Sequence, residues 1–285
     1  MSPLVECVPN FSEGRDAAVI AELAAAVQET PGAALLDRTS DPDHNRAVLT
    51  FAGAPEPVLD AAVKLAGIAA RRIDLRRHTG VHPRIGAMDV CPFVPVRGIT
   101  LEQCAELAHW AGNRIWLEHD VPVFFYEAAA LRDECQRLEN IRRGGLVPDL
   151  GGAGLHPMAG AAVVGARTFL IAFNVNLANT DLETGRRIAR AIRESGGGLP
   201  KVKALALPLA SEGVVQISMN LTDFAVTPIV RAYEAIAAQA EVKESELIGL
   251  APAAALNADI AAQVKLRGWS PEMILENRLA KLHLM

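Results

Sequence analysis

Two histidines and a run of arginines stand close together in RRIDLRRHTGVHPRIGAMDVCPFVPVRG, residues 71–98. Histidine accepts and returns a proton near neutrality, so His78 and His82 are the natural acid–base groups of the chain. Their i, i+4 spacing could hold zinc on a helix. Gly80 lies between them, however, and Pro83 pushes His82 towards an extended backbone. No third ligand stands at metal spacing, so no metal is expected. His82 then has two readings: a general acid–base, or a loop histidine that bonds only backbone. Arg71, Arg72, Arg76 and Arg77 follow a helical pattern and complement its C-terminal dipole. Arg84, beyond that helix, is the better candidate for gripping a carboxylate.

A second cluster, LLDRTSDPDHNR at residues 35–46, ends a strand at Asp37 and follows it with Asp41, Asp43, His44 and Asn45. It reads either as acids and amides gathered at a sheet edge or as a polar turn nucleated by Asp-Pro. The alternating aspartates lack the glycine and distal glutamate of a calcium loop. Gly151–Gly154 and Gly196–Gly198 match neither a phosphate-binding loop nor a dinucleotide fingerprint, and no GxSxG elbow occurs.

These groups need a scaffold, and 285 residues with 51% hydrophobic and 21% charged content supply a core for one large domain or two smaller ones. A net charge of −5 argues against nucleic acid, as does the absence of an RNP1 aromatic pattern. Any anionic ligand must then be met by a local positive cluster. Four scattered cysteines, Cys7, Cys91, Cys104 and Cys135, suit a reduced cytoplasmic enzyme. The N-terminus lacks the pattern of a signal peptide. The apolar stretch Ala159 to Ala178 is interrupted by Arg167, Asn174 and Asn176 and reads as buried sheet, with no membrane span.

Periodicity places strands at residues 5–8, 33–37, 46–52 and 88–96 and helices at 16–28 and 55–72, a β-α-β-β-α-β order. A helix at 101–118 and a strand at 121–126 extend it. Pro92 and Pro95 suggest an edge or bulged place for strand 88–96. The order repeats with strands at 169–175, 202–209, 214–220 and 246–250 and helices at 182–193 and 228–240. The expected fold is therefore α+β, with two ferredoxin-like βαββαβ subdomains over residues 1–160 and 161–285 and a ligand cleft between them. The glycine-rich stretch 144–160 reads as the linker.

VECVPNFSEGR at 5–15, HPRIGAMDVCPFVPVRG at 82–98, FLIAFNVNL at 169–177 and ISMNLTDF at 217–224 closely resemble the formiminotransferase family. The resemblance runs from Val5 to about Pro252. It implies a homodimer of α/β subdomains that moves a formimidoyl group between N-formimidoyl-L-glutamate and N5 of tetrahydrofolate, the co-substrate. It makes His82 the catalytic histidine. It also places folate contacts on Gly151, Gly152, Ala153, Gly154, Leu155, His156, Pro157, Met158, Ala159 and Gly160. Two positions depart from the pattern: Val81 stands where animal members carry glutamate, and Thr39 where an assisting acid is expected, which leaves Asp41 or Asp43 to supply that charge. The chain ends after a short helical tail, so any cyclodeaminase is expected on a separate protein.

Transfer from an amidine needs a proton off the attacking amine and one onto the leaving amine, and His82 can do both in turn. The cationic formimidoyl group calls for a carboxylate, with Asp37, Asp41 and Asp89 as candidates. Arg84, and less so Arg46, would hold substrate carboxylates, while Asn10 and Ser12 orient the polar substrate by neutral hydrogen bonds. Rival readings keep the scaffold with another amino-acid acceptor, a formyl group, or folate binding without catalysis.

Overall fold

The structure, a computed structural model, describes residues 2–284. The chain divides into two compact units between Arg167 and Thr168.

The first unit opens with β1 (Leu4–Cys7) and its short continuation β2 (Asn10–Phe11), interrupted at Val8–Pro9. Helix α1 (Ala17–Gln28) starts where the Asp16 carboxylate caps the amides of Ala18 and Val19, and it buries Val19, Leu23 and Val27. The hairpin β3 (Ala33–Asp41) and β4 (Arg46–Gly53) follows, then α2 (Pro55–Arg72), whose proline sits at the first helical turn. Strand β5 (Met88–Arg97), helix α3 (Leu101–His119) with a Thr100–Gln103 capping box, strand β6 (Val123–Glu127), helix α4 (Leu138–Arg142) and strand β7 (Ala162–Ala166) complete it. Both β4 and β5 pair antiparallel with β1 and β2, β3 pairs β4, and β7 lies parallel between β5 and β6. With β1 and β2 counted as one interrupted strand, β3-β4-β1/β2-β5 takes the ferredoxin-like order, and β7 and β6 extend it. The apolar faces of α1, α2 and α3 close the core over Phe11, Phe51 and Phe93, each fully buried; full burial of such a side chain contributes roughly 1.5–3 kcal/mol.

The first subdomain does not end at residue 160, and the glycine-rich stretch is no linker. β7 lies beyond that stretch and completes the first sheet, while Gly160 packs so closely that a Cβ there would lie 2.0 Å from the Ile85 carbonyl. β5 is no edge strand, since it has neighbours on both sides, but the other expected place, a bulged one, fits the register shift opposite Pro95 and Arg97. Its prolines are tolerated because Pro92 faces the interruption of the β1–β2 strand and Pro95 lies past Phe93, the last residue paired with β7. β3 runs on to Asp41, so the strand-end aspartate is Asp41 and the loop shrinks to a tight turn with Asn45 at φ 47°.

The second unit holds β8 (Ile171–Leu177), α5 (Leu182–Ile192), β9 (Val202–Leu209), β10 (Val214–Leu221), α6 (Ile229–Ala237) and β11 (Val242–Ile248), then α7 (Ala258–Gln263) and α8 (Leu275–Lys281). Its strands run β11-β8-β10-β9, all antiparallel, which is again the ferredoxin-like order. Phe173, Val175 and Leu177 join the core, while alternation sends Asn174 and Asn176 to the other face. There the Gln216 amide donates to Asn176 Oδ1 at 3.0 Å. Among the described residues no helix is long and apolar enough to cross a membrane.

Candidate active site

Three neighbouring segments of the first sheet build one recess: the turn after β2, the β3–β4 turn and the loop from His78 to Ala87. Asn45 ties them, its Oδ1 accepting from the Gly14 amide at 2.8 Å and its Nδ2 donating to the Thr79 carbonyl at 3.0 Å. Gly14 permits this approach, since a Cβ there would meet the Asp41 carbonyl at 2.2 Å. Phe11, Ser12, Asn45, Arg46, His82, Arg84 and Asp89 line the recess, which is small and opens to solvent.

His82 sits half-buried in its wall. Its Nδ1 lies 2.8 Å from the Pro83 carbonyl and its Nε2 2.7 Å from Nη1 of Arg46. A carbonyl only accepts and a guanidinium only donates, so the proton is on Nδ1 and Nε2 is bare. The His44 ring stacks on His82 with centroids 5.8 Å apart. Burial, then the positive fields of Arg46 and Arg142, hold the His82 pKa well below its ordinary 6.5. Arg46 also donates to Asn10 Oδ1, and its buried Nε has no partner. Burial and Arg142 lower Arg46 to about 10, opposed by Asp89 and Asp41, which leaves it a cation at neutrality.

The remaining predicted residues divide. Asn10, Ser12, Arg46, Arg84 and Asp89 all come together around His82. Two of them serve the scaffold: Ser12 Oγ donates to the Gly86 carbonyl at 2.7 Å. Asp89 Oδ1 accepts from the amides of Ile85 and Gly86 at 2.7 and 3.4 Å, and its Oδ2 pairs with Arg142. Arg84 donates to the carbonyls of His82 at 2.6 Å and His44 at 3.3 Å and contacts the His78 ring, so it clamps the loop. Asp41 pairs across the hairpin with Arg46 while its carboxylate accepts from the His44 amide at 2.7 Å. Asp37 pairs with Thr50 further along β3 and does not line the recess.

The loop 151–160 folds back as a hairpin, with His156 and Gly160 exchanging backbone hydrogen bonds at 2.8 and 2.9 Å. His156 Nδ1 accepts from the Met158 and Ala159 amides. Ala159 accepts from the Ala87 amide at 2.8 Å and Ala161 donates to Ile85 at 3.1 Å, so this hairpin borders the segment that joins His82 to Asp89. Ala153, Gly154 and Leu155, which lead into it, are exposed.

Sequence reasoning assigned no role to Phe11, Asn45, the stacked His44 or Arg142. Asn45 and His44 carried a signal, as members of the polar cluster after Asp37. Arg142 carried none, because it ends a five-residue helix whose packing alone brings it to Asp89. Among the described residues no group of three or more His, Cys, Asp or Glu side chains could hold a metal ion.

The depressed His82 pKa has a consequence for stability. Below the ordinary value near 6.5 the unfolded chain binds a proton that the folded chain resists, so stability is full above about pH 6.5 and declines as pH falls through it. Thermal unfolding followed from about pH 8 to about pH 5 is expected to show a steeper acid decline for the wild type than for His82→Gln. Equal slopes would mean that folding does not disfavour the imidazolium.

The sequence profile of the formiminotransferase domain, N-terminal subdomain, matches residues 4–167, and that of the formiminotransferase domain matches residues 172–271. The chain is similar to a glutamate formimidoyltransferase of Streptococcus pyogenes, 42% identical over 90% of this chain and 91% of that protein. It is similar to one of Thermoplasma acidophilum, 41% identical over 98% of each. A formimidoyltransferase-cyclodeaminase of Gallus gallus is 44% identical over 90% of this chain, which spans 51% of that longer protein.

Proposed function

The chain belongs to the formiminotransferase family, and on that footing we propose that it is a glutamate formimidoyltransferase. It moves the formimidoyl group between N-formimidoyl-L-glutamate and N5 of tetrahydrofolate, in the cytoplasm, as a step of histidine degradation. The observation that carries this reading is the polar recess lined by His82, whose proton sits on Nδ1 and whose Nε2 lone pair meets Nη1 of Arg46. With tetrahydrofolate as co-substrate, His82 takes the N5 proton and then returns it to the departing glutamate nitrogen. The 151–160 hairpin is the folate contact, supported by its position against the His82–Asp89 segment.

Incubation with tetrahydrofolate and N-formimidoyl-L-glutamate should produce the absorbance change of a substituted folate. Tight folate binding without transfer would overturn the reading in favour of a non-catalytic protein. A panel of other amino acids and of formyl donors tests the choice of acceptor and carried group.

For the carboxylate that balances the cationic amidine, Asp41 is the stronger candidate, as cross-strand partner of Arg46. Asp41→Asn should slow turnover by roughly 10-fold, ~1.4 kcal/mol on the barrier, and Asp37→Asn should leave it unchanged. Equal effects of the two would remove Asp41 from this role.

The homodimer belongs to the same proposal. Trp110 and Leu117, 63% and 77% exposed and seven residues apart on α3, are the most exposed large apolar side chains and suit a covered face. Light scattering should give a dimer mass for the wild type and a smaller one for Trp110→Glu/Leu117→Glu.

A further inference from the structure

The mechanism meets an obstacle in the geometry of its own base. An unprotonated imidazole nitrogen has one in-plane lone pair, and that of His82 Nε2 is filled by Nη1 of Arg46 at 2.7 Å. Nδ1 is occupied by the Pro83 carbonyl. In this arrangement His82 can neither take a proton nor give one. Arg46 cannot resolve the conflict by ionising, since it stays protonated near neutrality. It has to change partner.

We infer that Arg46 masks the base: without substrate its Nη1–H fills the Nε2 lone pair of His82, and a substrate carboxylate entering the recess draws that donor away, so that His82 acts only once an amino-acid carboxylate is in place. The inference rests on the transferase reading and adds a residue that makes transfer conditional on the amino-acid partner. No bond to hydrogen is broken in the unmasking. The Arg46 proton stays on its nitrogen and exchanges a neutral acceptor, imidazole, for a charged one. Hydrogen bonds to a carboxylate are roughly twice as strong as those to neutral groups, so the exchange runs towards the substrate.

Three observations select Arg46 over the other cations. Its Nε is a buried donor with no acceptor, so part of its hydrogen-bonding capacity is already unmet. Arg84 spends its donors on the His82 and His44 carbonyls and on His78. Arg142 is paired with Asp89. Arg46, whose partners near the recess are the neutral Asn10 and His82, is therefore the guanidinium with most to gain from an anion.

The charged and titratable groups around the pair agree with this role. Arg46 from β4, Arg142 from α4 and His44 from the β3–β4 turn all oppose a charged His82. Asp89 on β5 and Asp41 at the end of β3 partly offset Arg46, and Arg84 on the His82 loop opposes it. A bound carboxylate neutralises the first and largest of the cations acting on His82, so that the imidazole becomes more basic as it becomes free.

The test uses the full chain labelled with 15N-histidine, with glutarate as the probe, because it carries two carboxylates and no amine. His82 signals are identified by their loss in His82→Gln. Glutarate is expected to raise the His82 proton affinity in the wild type by about tenfold or more, one pKa unit. In Arg46→Gln the affinity should already be raised and should no longer respond. Kinetically, Arg46→Gln should raise KM for N-formimidoyl-L-glutamate by about tenfold. The wild-type acid limb should lie at higher pH in kcat than in kcat/KM, a separation that Arg46→Gln abolishes. An unchanged His82 signal up to the highest glutarate concentration overturns the mask, and this arm needs no variant. Transfer activity with an unresponsive His82 overturns the mask and leaves the transferase reading standing, whereas a responsive His82 without transfer does the reverse.

Discussion

Replacing His82 with alanine is expected to lower formimidoyl transfer by roughly 100-fold or more, the range for removal of a general acid–base, while folate still binds and the chain stays folded. The fold should tolerate the change because the ring is half-buried at the recess and its hydrogen bonds go to Arg46 and to the adjacent Pro83 carbonyl. Water entering the vacated space can satisfy Arg46. In the proposed mechanism both proton transfers fall to His82, so the loss should appear in kcat with little change in folate affinity. The measurement is steady-state transfer beside a folate titration by fluorescence, with circular dichroism to confirm folding. Near-normal turnover in a folded variant would remove His82 from the chemistry.

The largest effect on stability is expected at Asp89. Its carboxylate receives two backbone amides of the His82 loop on one oxygen and Arg142 on the other, and the two side chains of the ion pair are only 4% and 15% exposed. Asp89→Ala strands a nearly buried guanidinium and two loop amides. Breaking such a pair from one side costs about 3–5 kcal/mol, or a fall of about 10 °C in Tm for a unit of this size. Asp89→Ala/Arg142→Met should recover part of that loss, since no unpaired charge then remains in the interior. Urea unfolding of the two single variants and the double variant checks this as a double-mutant cycle. Strictly additive losses would mean that the pair does not hold the loop.

Particular residues show how far the sequence reaches. Helix starts were legible because apolar periodicity is local, and the structure adds caps at Asp16, Thr100 and Asp181, which bond amides two or three residues on. The extended backbone at His82 was legible because the Pro83 ring imposes it at the neighbouring position. The alternation of β8 gave a buried strand for the same local reason. The end of β3 was not legible, since its polar residues 38–41 look like loop and become strand only through pairing with β4. The prolines of β5 pointed to an edge or a bulge, and only the irregular pairing of the strand opposite, interrupted at Val8–Pro9 and shifted at Pro95, shows why an interior place holds them.

The roles within the site follow the same division. Residue types marked Asn10, Ser12, Arg46, His82, Arg84 and Asp89 as a polar and charged set; all but Asn10 line one recess, and Asn10 joins them through Arg46. Their partners were undetermined. Arg84 became a loop clamp and Arg46 the cation on the histidine; Asp89 became an anchor for Arg142, a residue without any local signature. Sequence by itself determined the two ferredoxin-like repeats, the family and the extended backbone at His82, because periodicity, motifs and proline sterics act within a few residues along the chain. Only the tertiary structure decided which guanidinium faces Nε2 and which carboxylate is spent on backbone, because hydrogen bonds and charge pairs are set by distances across strands that are far apart in sequence.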